Sequence, residues 1–155
     1  MLAVKQILCP TDFSPPSYEA LRVAGEVAQH FGAELWVMHV VPPLPPPTPA
    51  TETTFVPTFD LPLYQQELAE SSEKALQAAI KERLPQGLVV HTVLTFGDPA
   101  QEIIRTAEER RIDLIVIATH GHTGWGRFIF GSVAEKVVRL ALCPVLTLKV
   151  HQEKA

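Results

Sequence analysis

The chain has 155 residues, 46% of them hydrophobic and 19% charged, with a formal net charge of −4. The length fits one domain, 1–155, at roughly 150 residues per domain, and the composition excludes a disordered chain. The charge argues against nucleic acid and anionic membranes as partners. No apolar run approaches the roughly 20 residues of a membrane span, and residues 1–6 do not resemble a signal peptide, so we expect a cytoplasmic protein.

The first predicted elements are a strand, a helix and a second strand. Residues 4–9 form a short apolar strand that ends at Pro10. Ser14, followed by two prolines, is typical of a helix N-cap and first turn. Apolar residues then recur at helical spacing as far as Gly32, where we expect the helix to end. Residues 35–41 are the second predicted strand.

A proline-rich segment separates the second strand from a long predicted helix. Residues 42–62 hold most of the fourteen prolines of the chain, and proline removes backbone donors and disfavours regular structure. We expect an exposed insertion that acts as a spacer, with a docking motif as the alternative. The helix is predicted from about 63 to 84, ends at Pro85, and is followed by a third strand over 88–94.

The second half of the chain continues the alternation. A capping box at Asp98 starts a third helix. Residues 112–118 are apolar on both faces, which predicts a strand buried between two layers of helices. An amphipathic helix over 133–142 and a last strand over 145–150 follow.

This order of elements predicts an α/β protein with a parallel, doubly wound sheet and helices on both faces. Ligands of such sheets bind beyond the carboxyl ends of the strands, where the strand order reverses. If the first and fourth strands are neighbours at that point, the loops after them line one crevice. These loops hold the candidate site residues Pro10, Thr11 and Asp12, and Ala118, Thr119, His120 and Gly121.

The loop after the fourth strand is rich in glycine. Gly121 is followed by nine residues and then by Gly131 and Ser132. Glycine lets the backbone approach a ligand closely, and a helix N-terminus offers unpaired N–H groups. The loop therefore predicts a phosphate site, although no Gly-Lys-Ser/Thr closes it as in a Walker A loop. We expect Ser132 to be the N-cap, in a capping box with Glu135, which is compatible with phosphate binding.

The histidines of this loop do not predict a metal site. His120 and His122 are two residues apart with no cysteine or third histidine nearby, which is poor zinc spacing; zinc ligation and nucleotidyl transfer remain alternatives. We expect backbone contact with phosphate around Gly121 and His122. Arg127 either offsets phosphate charge or is a solvated loop residue. No catalytic triad order or carboxylate pair is present, so the residues give catalysis little support.

The two cysteines are expected to be free. Cys9 and Cys143 lie at the carboxyl end of one predicted strand and the amino end of another, too far apart for a disulfide. Buried thiols are the ordinary state of free cysteine, with a reactive cysteine as the alternative.

Several motifs together resemble those of a known family. They are Ile7-Leu8-Cys9-Pro10-Thr11-Asp12-Phe13-Ser14, His39-Val40-Val41, Thr119-His120-Gly121-His122-Thr123-Gly124, Gly131-Ser132-Val133-Ala134-Glu135-Lys136-Val137 and Cys143-Pro144-Val145-Leu146. The chain resembles the universal stress proteins of the nucleotide-binding subgroup over nearly its whole length. The resemblance implies a five-stranded parallel sheet in the order 3-2-1-4-5. Ala118 stands where the ATP-binding members have the first glycine of their loop motif.

The resemblance also implies a ligand and its contacts. ATP, or ADP or AMP, would bind, with Mg²⁺, between strands 1 and 4. Asp12 would reach the adenosine portion, and the strand end at Val40 and Val41 would contact adenine through backbone groups. Ser132 and Val133 would lie at the phosphates. The protein would be a nucleotide-responsive stress factor; the alternatives are a nucleotide-free interaction module of the same fold and a low-turnover ATPase or phosphotransferase.

A homodimer is expected from the last strand. Residues 145–150 are mostly apolar and lie at a sheet edge in this strand order, where exposed backbone groups invite pairing. Antiparallel pairing with the same strand of a second chain would cover both edges, as the resemblance also implies. A tail folded over the edge of a monomer is the alternative.

Overall fold

The computed structural model describes residues 3–44, 60–120 and 130–150. Helices and strands alternate along the chain. In order they are β1 (Gln6–Pro10), α1 (Pro15–Phe31), β2 (Glu34–Val41), α2 (Leu61–Arg83), β3 (Val90–Phe96), α3 (Pro99–Glu109), β4 (Leu114–Ala118), α4 (Ser132–Leu140) and β5 (Val145–Leu148).

The five strands form one parallel sheet in the order β3-β2-β1-β4-β5. β1 pairs with β2 on one side and with β4 on the other, so the strand order reverses between β1 and β4. This confirms the predicted fold class and brings the carboxyl ends of β1 and β4 side by side.

Each face of the sheet has its own core because side chains along a strand alternate between the faces. Ile7 and Cys9 of β1 lie in the core beneath α1 and α2. Leu8, between them, lies in the core beneath α3 and α4. Residues 115–118 of β4 are buried in the same alternating way, which confirms the prediction of a strand covered on both faces.

The helix ends follow from local capping chemistry. The Ser14 hydroxyl accepts a hydrogen bond from the amide of Ser17, and the Asp98 carboxylate accepts one from the amide of Gln101. Gly32 ends α1 with a φ of 63°, a left-handed conformation that glycine adopts without a steric penalty. These three predicted caps are confirmed.

Other predicted bounds are displaced. β3 spans Val90–Phe96, two residues later than expected, because its bounds are set by pairing with β2, which joins Leu35 to Val90 and Val41 to Phe96. α2 begins at Leu61, where Asp60 caps it, so the helix starts inside the predicted insertion. Residues 42–44 are exposed and without regular structure, and residues 45–59 lie outside the described residues.

The two cysteines are free. Cys9 is fully buried, and burial raises the pKa of its thiol to about 12. Cys143, just before β5, is only partly buried, so the expectation of two buried thiols is wrong for this residue; partial burial raises the pKa of its thiol as well. Among the described helices, none has the length and apolar character required to cross a membrane.

Candidate functional site

The predicted site residues that the structure describes converge on the carboxyl edge of the sheet. Pro10 ends β1 and Ala118 ends β4, and these strands are paired neighbours. Thr11 and Thr119, which follow them, are buried, whereas Asp12 is exposed. The N-terminus of α4 begins at Ser132 beside this edge, held there through Gly131. The predicted residues Gly121, His122 and Arg127 lie outside the described residues.

The loop after β1 is fixed by hydrogen bonds of Thr11. Its amide donates to the carbonyl of Met38 on β2, at 2.8 Å. Its hydroxyl lies 2.9 Å from the hydroxyl of Ser17 and accepts from the amide of Phe13 at 3.1 Å. Because both the amide and the hydroxyl of Thr11 form hydrogen bonds, the loop enters α1 in a defined conformation.

Asp12 is anchored to the start of α1. Its carboxylate oxygen Oδ1 accepts from the Ser14 amide at 3.1 Å and also from the Ser14 hydroxyl. Ser14 in turn caps the helix through Ser17. Asp12 thus supports the cap, while its exposed side chain stays at the edge of the sheet.

The next residue, Phe13, has a φ of 62°, a conformation that is strained for a bulky side chain and that is often found at functional sites. His39 of β2 lies against it, with the ring centroids 4.3 Å apart. Nδ1 of His39 is 2.8 Å from the carbonyl oxygen of Thr11; since a carbonyl can only accept, Nδ1 carries the proton. The sequence analysis gave His39 no partner. The only indication that it belongs to the site was its position directly before the site residue Val40.

The loop after β4 is tied to β5. The amide of Thr119 donates to the carbonyl of Leu148 at 2.9 Å, and its hydroxyl donates to the same carbonyl at 3.2 Å. That hydroxyl also lies 2.9 Å from Nδ1 of His120. In the described part of the chain, no group of three or more His, Cys, Asp or Glu side chains is arranged to hold a metal ion.

Ala118 is accommodated where the family motif has glycine. Among the described residues, the only non-glycine residues with positive φ are Phe13 and Arg111, so the backbone of Ala118 does not require glycine. Its methyl group belongs to the core beneath α1 and α2, whereas α4 packs on the opposite face. The methyl group therefore points away from the N-terminus of α4.

Gly131 brings α4 close to β4. Its amide donates to the carbonyl of Thr119 at 2.5 Å, and a Cβ at this position would lie 3.1 Å from that oxygen. Its φ of −71° and ψ of 159° are open to any residue. Glycine is therefore favoured here by the close approach of two backbone segments and not by an unusual dihedral angle.

The predicted capping box of α4 is wrong. Gly131 is the N-cap, and Ser132 is the first, exposed residue of the helix. No side chain of residues 3–44, 60–120 or 130–150 caps it. The amide of Glu135 bonds the carbonyl of Gly131 as an ordinary helical bond. The short contact of Gly131 with Thr119 moves the cap one residue earlier than the serine pattern indicates. Among the described residues, no side-chain oxygen bonds the first-turn amides, which include those of Ser132 and Val133.

The end of β2 lies at the same carboxyl edge, beside β1 on the side away from β4. Val40 and Val41 are buried, and they are in register with Thr95 and Phe96 of β3. The carbonyl of Val41 accepts a hydrogen bond from the amide of Gly97 at 3.0 Å. A carbonyl oxygen has a second lone pair, so this bond still leaves it able to accept another.

The fold and this edge define a doubly wound parallel α/β protein with the N-terminus of α4 at its switch point. A helix N-terminus at such a position favours anions. Residues 3–149 match the model of the universal stress protein family. The chain belongs to this family. It is 38% identical over 145 residues to universal stress protein MJ0531 of Methanocaldococcus jannaschii, covering 94% of this chain and 82% of that protein.

Two solved structures share the fold. The chain is similar to the universal stress protein UspA from Lactobacillus plantarum, with a TM-score of 0.74 and 27% identity, covering 93% of this chain and 97% of that one. It also resembles the universal stress protein from Archaeoglobus fulgidus in complex with dAMP, with a TM-score of 0.60 and 22% identity, covering 95% of this chain and 98% of that one.

Proposed function

We propose that this protein binds ATP, with Mg²⁺, across the carboxyl edge of its sheet between β1 and β4 and acts as a cytoplasmic, nucleotide-responsive stress factor. The observation that carries the proposal is the start of α4. Gly131 holds the helix against β4 through Thr119, and no side chain in the described part of the chain caps the first turn. The amides and the positive end of the helix dipole are therefore available to phosphate.

Each part of the nucleotide has residues of suitable chemistry. The amides of Ser132 and Val133 and the exposed Ser132 hydroxyl would bind phosphate oxygens. The Asp12 carboxylate, held by Ser14 at the neighbouring loop, would accept hydrogen bonds from ribose hydroxyl groups. The base would lie toward the end of β2, at Val40 and Val41. Binding of dAMP by a protein of the same fold supports an adenine nucleotide as the ligand.

Mg²⁺ would bind chiefly through the phosphate oxygens, because this ion keeps several waters and uses few protein ligands. The oxygen donors that this edge can add are the Asp12 carboxylate and the Ser132 hydroxyl. When bound, the ion neutralises phosphate charge. The protein's own part is to bind and orient the phosphates at α4.

The test is the nucleotide content of protein purified without added nucleotide, followed by titration calorimetry with ATP in the presence and absence of Mg²⁺. We expect bound adenine nucleotide by mass and absorbance, and saturable ATP binding after its removal. Protein that neither retains nor binds adenine nucleotide would be the nucleotide-free module instead. A steady rise of ADP with the purified protein would favour the low-turnover ATPase.

We propose also that the protein forms a homodimer through its last strand, predicted over 145–150 and described as β5 (Val145–Leu148). β5 is an edge strand, and Leu146 within it is 39% exposed, while Leu142, just before it, is 86% exposed. Apolar side chains beside an unpaired strand edge favour pairing with a second copy. Light scattering at micromolar concentration tests this, and a monomer would contradict it.

A further inference from the structure

Lys136, in the second turn of α4, reaches toward the carboxyl edge of the sheet. Its Nζ is 3.9 Å from Oδ2 of Asp98, and the two side chains are 48% and 42% exposed. Asp98 follows β3 and caps α3 through its other oxygen, Oδ1. The amide of Gly97, just before it, donates to the carbonyl of Val41 at the end of β2. The ammonium group of Lys136 therefore extends from α4 in the direction of the end of β2.

The contact with Asp98 shows which side of α4 Lys136 occupies. Successive residues of a helix are about 100° apart, and Ala134 and Val137 face the core. Lys136 and Glu135 therefore lie on opposite sides of that buried face. Lys136 is on the side of α3, which packs over β2 and β3. Since the proposed nucleotide runs from α4 toward β2, it would pass along the side with the lysine and not the side with the Glu135 carboxylate.

The side chain of Lys136 is long enough to reach phosphate at the start of the helix. Lys136 is four residues after Ser132, and residues at this spacing are neighbours on one helix surface, with Cβ atoms about 5–6 Å apart. Long helical side chains also lean toward the N-terminus and cover the preceding turn. That turn begins with Ser132 and Val133, whose amides the proposed function assigns to phosphate. Nζ would therefore reach such a phosphate once it leaves Asp98.

The exchange of partners favours phosphate. An ion pair as exposed as that of Lys136 and Asp98 changes an equilibrium constant by at most about 5-fold. A hydrogen bond to a charged group contributes about 13- to 150-fold. Leaving Asp98 for phosphate should therefore raise ATP affinity by about 3- to 30-fold.

We propose that Lys136 binds the phosphates of the nucleotide, with its ammonium group released from Asp98 on binding. The inference rests on the proposed function and adds to the helix amides a side chain with a full positive charge. The lysine would offset phosphate charge in a chain whose own formal net charge is −4. In the free protein, Asp98 keeps the lysine near the edge at little energetic cost.

The test measures ATP affinity by titration calorimetry for Lys136→Gln, Lys136→Arg and Arg139→Gln. Lys136→Gln should bind ATP about 3- to 30-fold more weakly at low ionic strength, and the loss should shrink at higher salt, which screens exposed charges. Lys136→Arg keeps the charge and should retain most of the affinity. Arg139→Gln is the matched control, because it makes the same change in net charge in the last turn of α4, and it should bind ATP like the wild type. Melting curves establish that each variant is folded.

Each other result is decisive. Wild-type ATP affinity in folded Lys136→Gln would overturn the role of Lys136 and leave the proposed function standing. An equal loss in Arg139→Gln would mean an effect of net charge alone, and a loss that salt does not change would mean a distortion of the site; either would also overturn it. A wild-type protein that binds no ATP would refute the proposed function together with the inference.

Discussion

Replacing Gly131 with alanine should weaken ATP binding while the protein stays folded. The backbone at this position suits alanine, with a φ of −71°, but the new Cβ would lie 3.1 Å from the carbonyl oxygen of Thr119. Thr119 is held in turn by the carbonyl of Leu148, so we expect the start of α4 to shift by a few tenths of an ångström instead. Valine, with two further methyl groups, would disturb this contact more and is a less clean probe.

The expected loss of ATP affinity follows from the hydrogen bonds between the α4 amides and phosphate. A hydrogen bond to a charged group contributes about 1.5–3 kcal/mol, so losing one such phosphate contact corresponds to a roughly 13- to 150-fold weaker affinity. Titration calorimetry with ATP measures it directly, and the circular dichroism spectrum and melting curve establish that the variant is folded.

Gly32→Ala is the matched control. Gly32 has a φ of 63°, and no atom lies within 4 Å of the position that a Cβ would take, so alanine there costs about 1–2 kcal/mol of stability through the left-handed backbone alone. It ends α1 just before β2 begins, at the opposite edge of the sheet from Gly131. We expect wild-type ATP affinity in Gly32→Ala. A folded Gly131→Ala variant that binds ATP like the wild type would refute the reasoning.

Four further predictions concern other parts of the molecule. His39→Leu removes the hydrogen-bond donor to the carbonyl of Thr11 and should weaken ATP binding several-fold in calorimetry. His39→Gln keeps a donor and should restore part of the affinity. Equal ATP affinity in the wild type and both variants would contradict this role. Native Cys143 should react with a thiol reagent before buried Cys9, and a non-reduced mass two protons lower in the monomer would contradict free thiols. Because burial raises the pKa of Cys9 from 9.0 to about 12, the unfolded state binds fewer protons between these values, so the denaturant midpoint should fall from pH 9 to 12, and less so in Cys9→Ala. Leu146→Pro should shift the protein toward monomer in light scattering, since proline disrupts the edge strand; an unchanged dimer would refute pairing through β5.

The sequence predicted the elements whose causes are local. Ser14, Asp98 and Gly32 act through their own side chain or backbone on the next turn, and the alternation of elements determined the sheet. The start of β3 was misplaced because residues 88–90 are uniformly apolar, and only pairing with β2 decides where the strand begins.

The site was predicted less completely because its geometry depends on contacts between distant segments. The hydrogen bond of Gly131 to Thr119 displaces the cap from Ser132, and no local pattern reports it. The contact of His39 with Thr11 joins residues 28 apart in the chain. Whether alanine was tolerated at position 118 depended on which core its methyl group enters, and this required the packing of both layers of helices.

The most direct test of nucleotide binding at this edge is an experimental structure of the protein purified without added nucleotide and then soaked with ATP and Mg²⁺. We expect triphosphate density at the amides of Ser132 and Val133, ribose beside Asp12, and the base at the end of β2, beside Val40 and Val41. A nucleotide bound elsewhere, or an empty edge at saturating ATP, would contradict the proposed site.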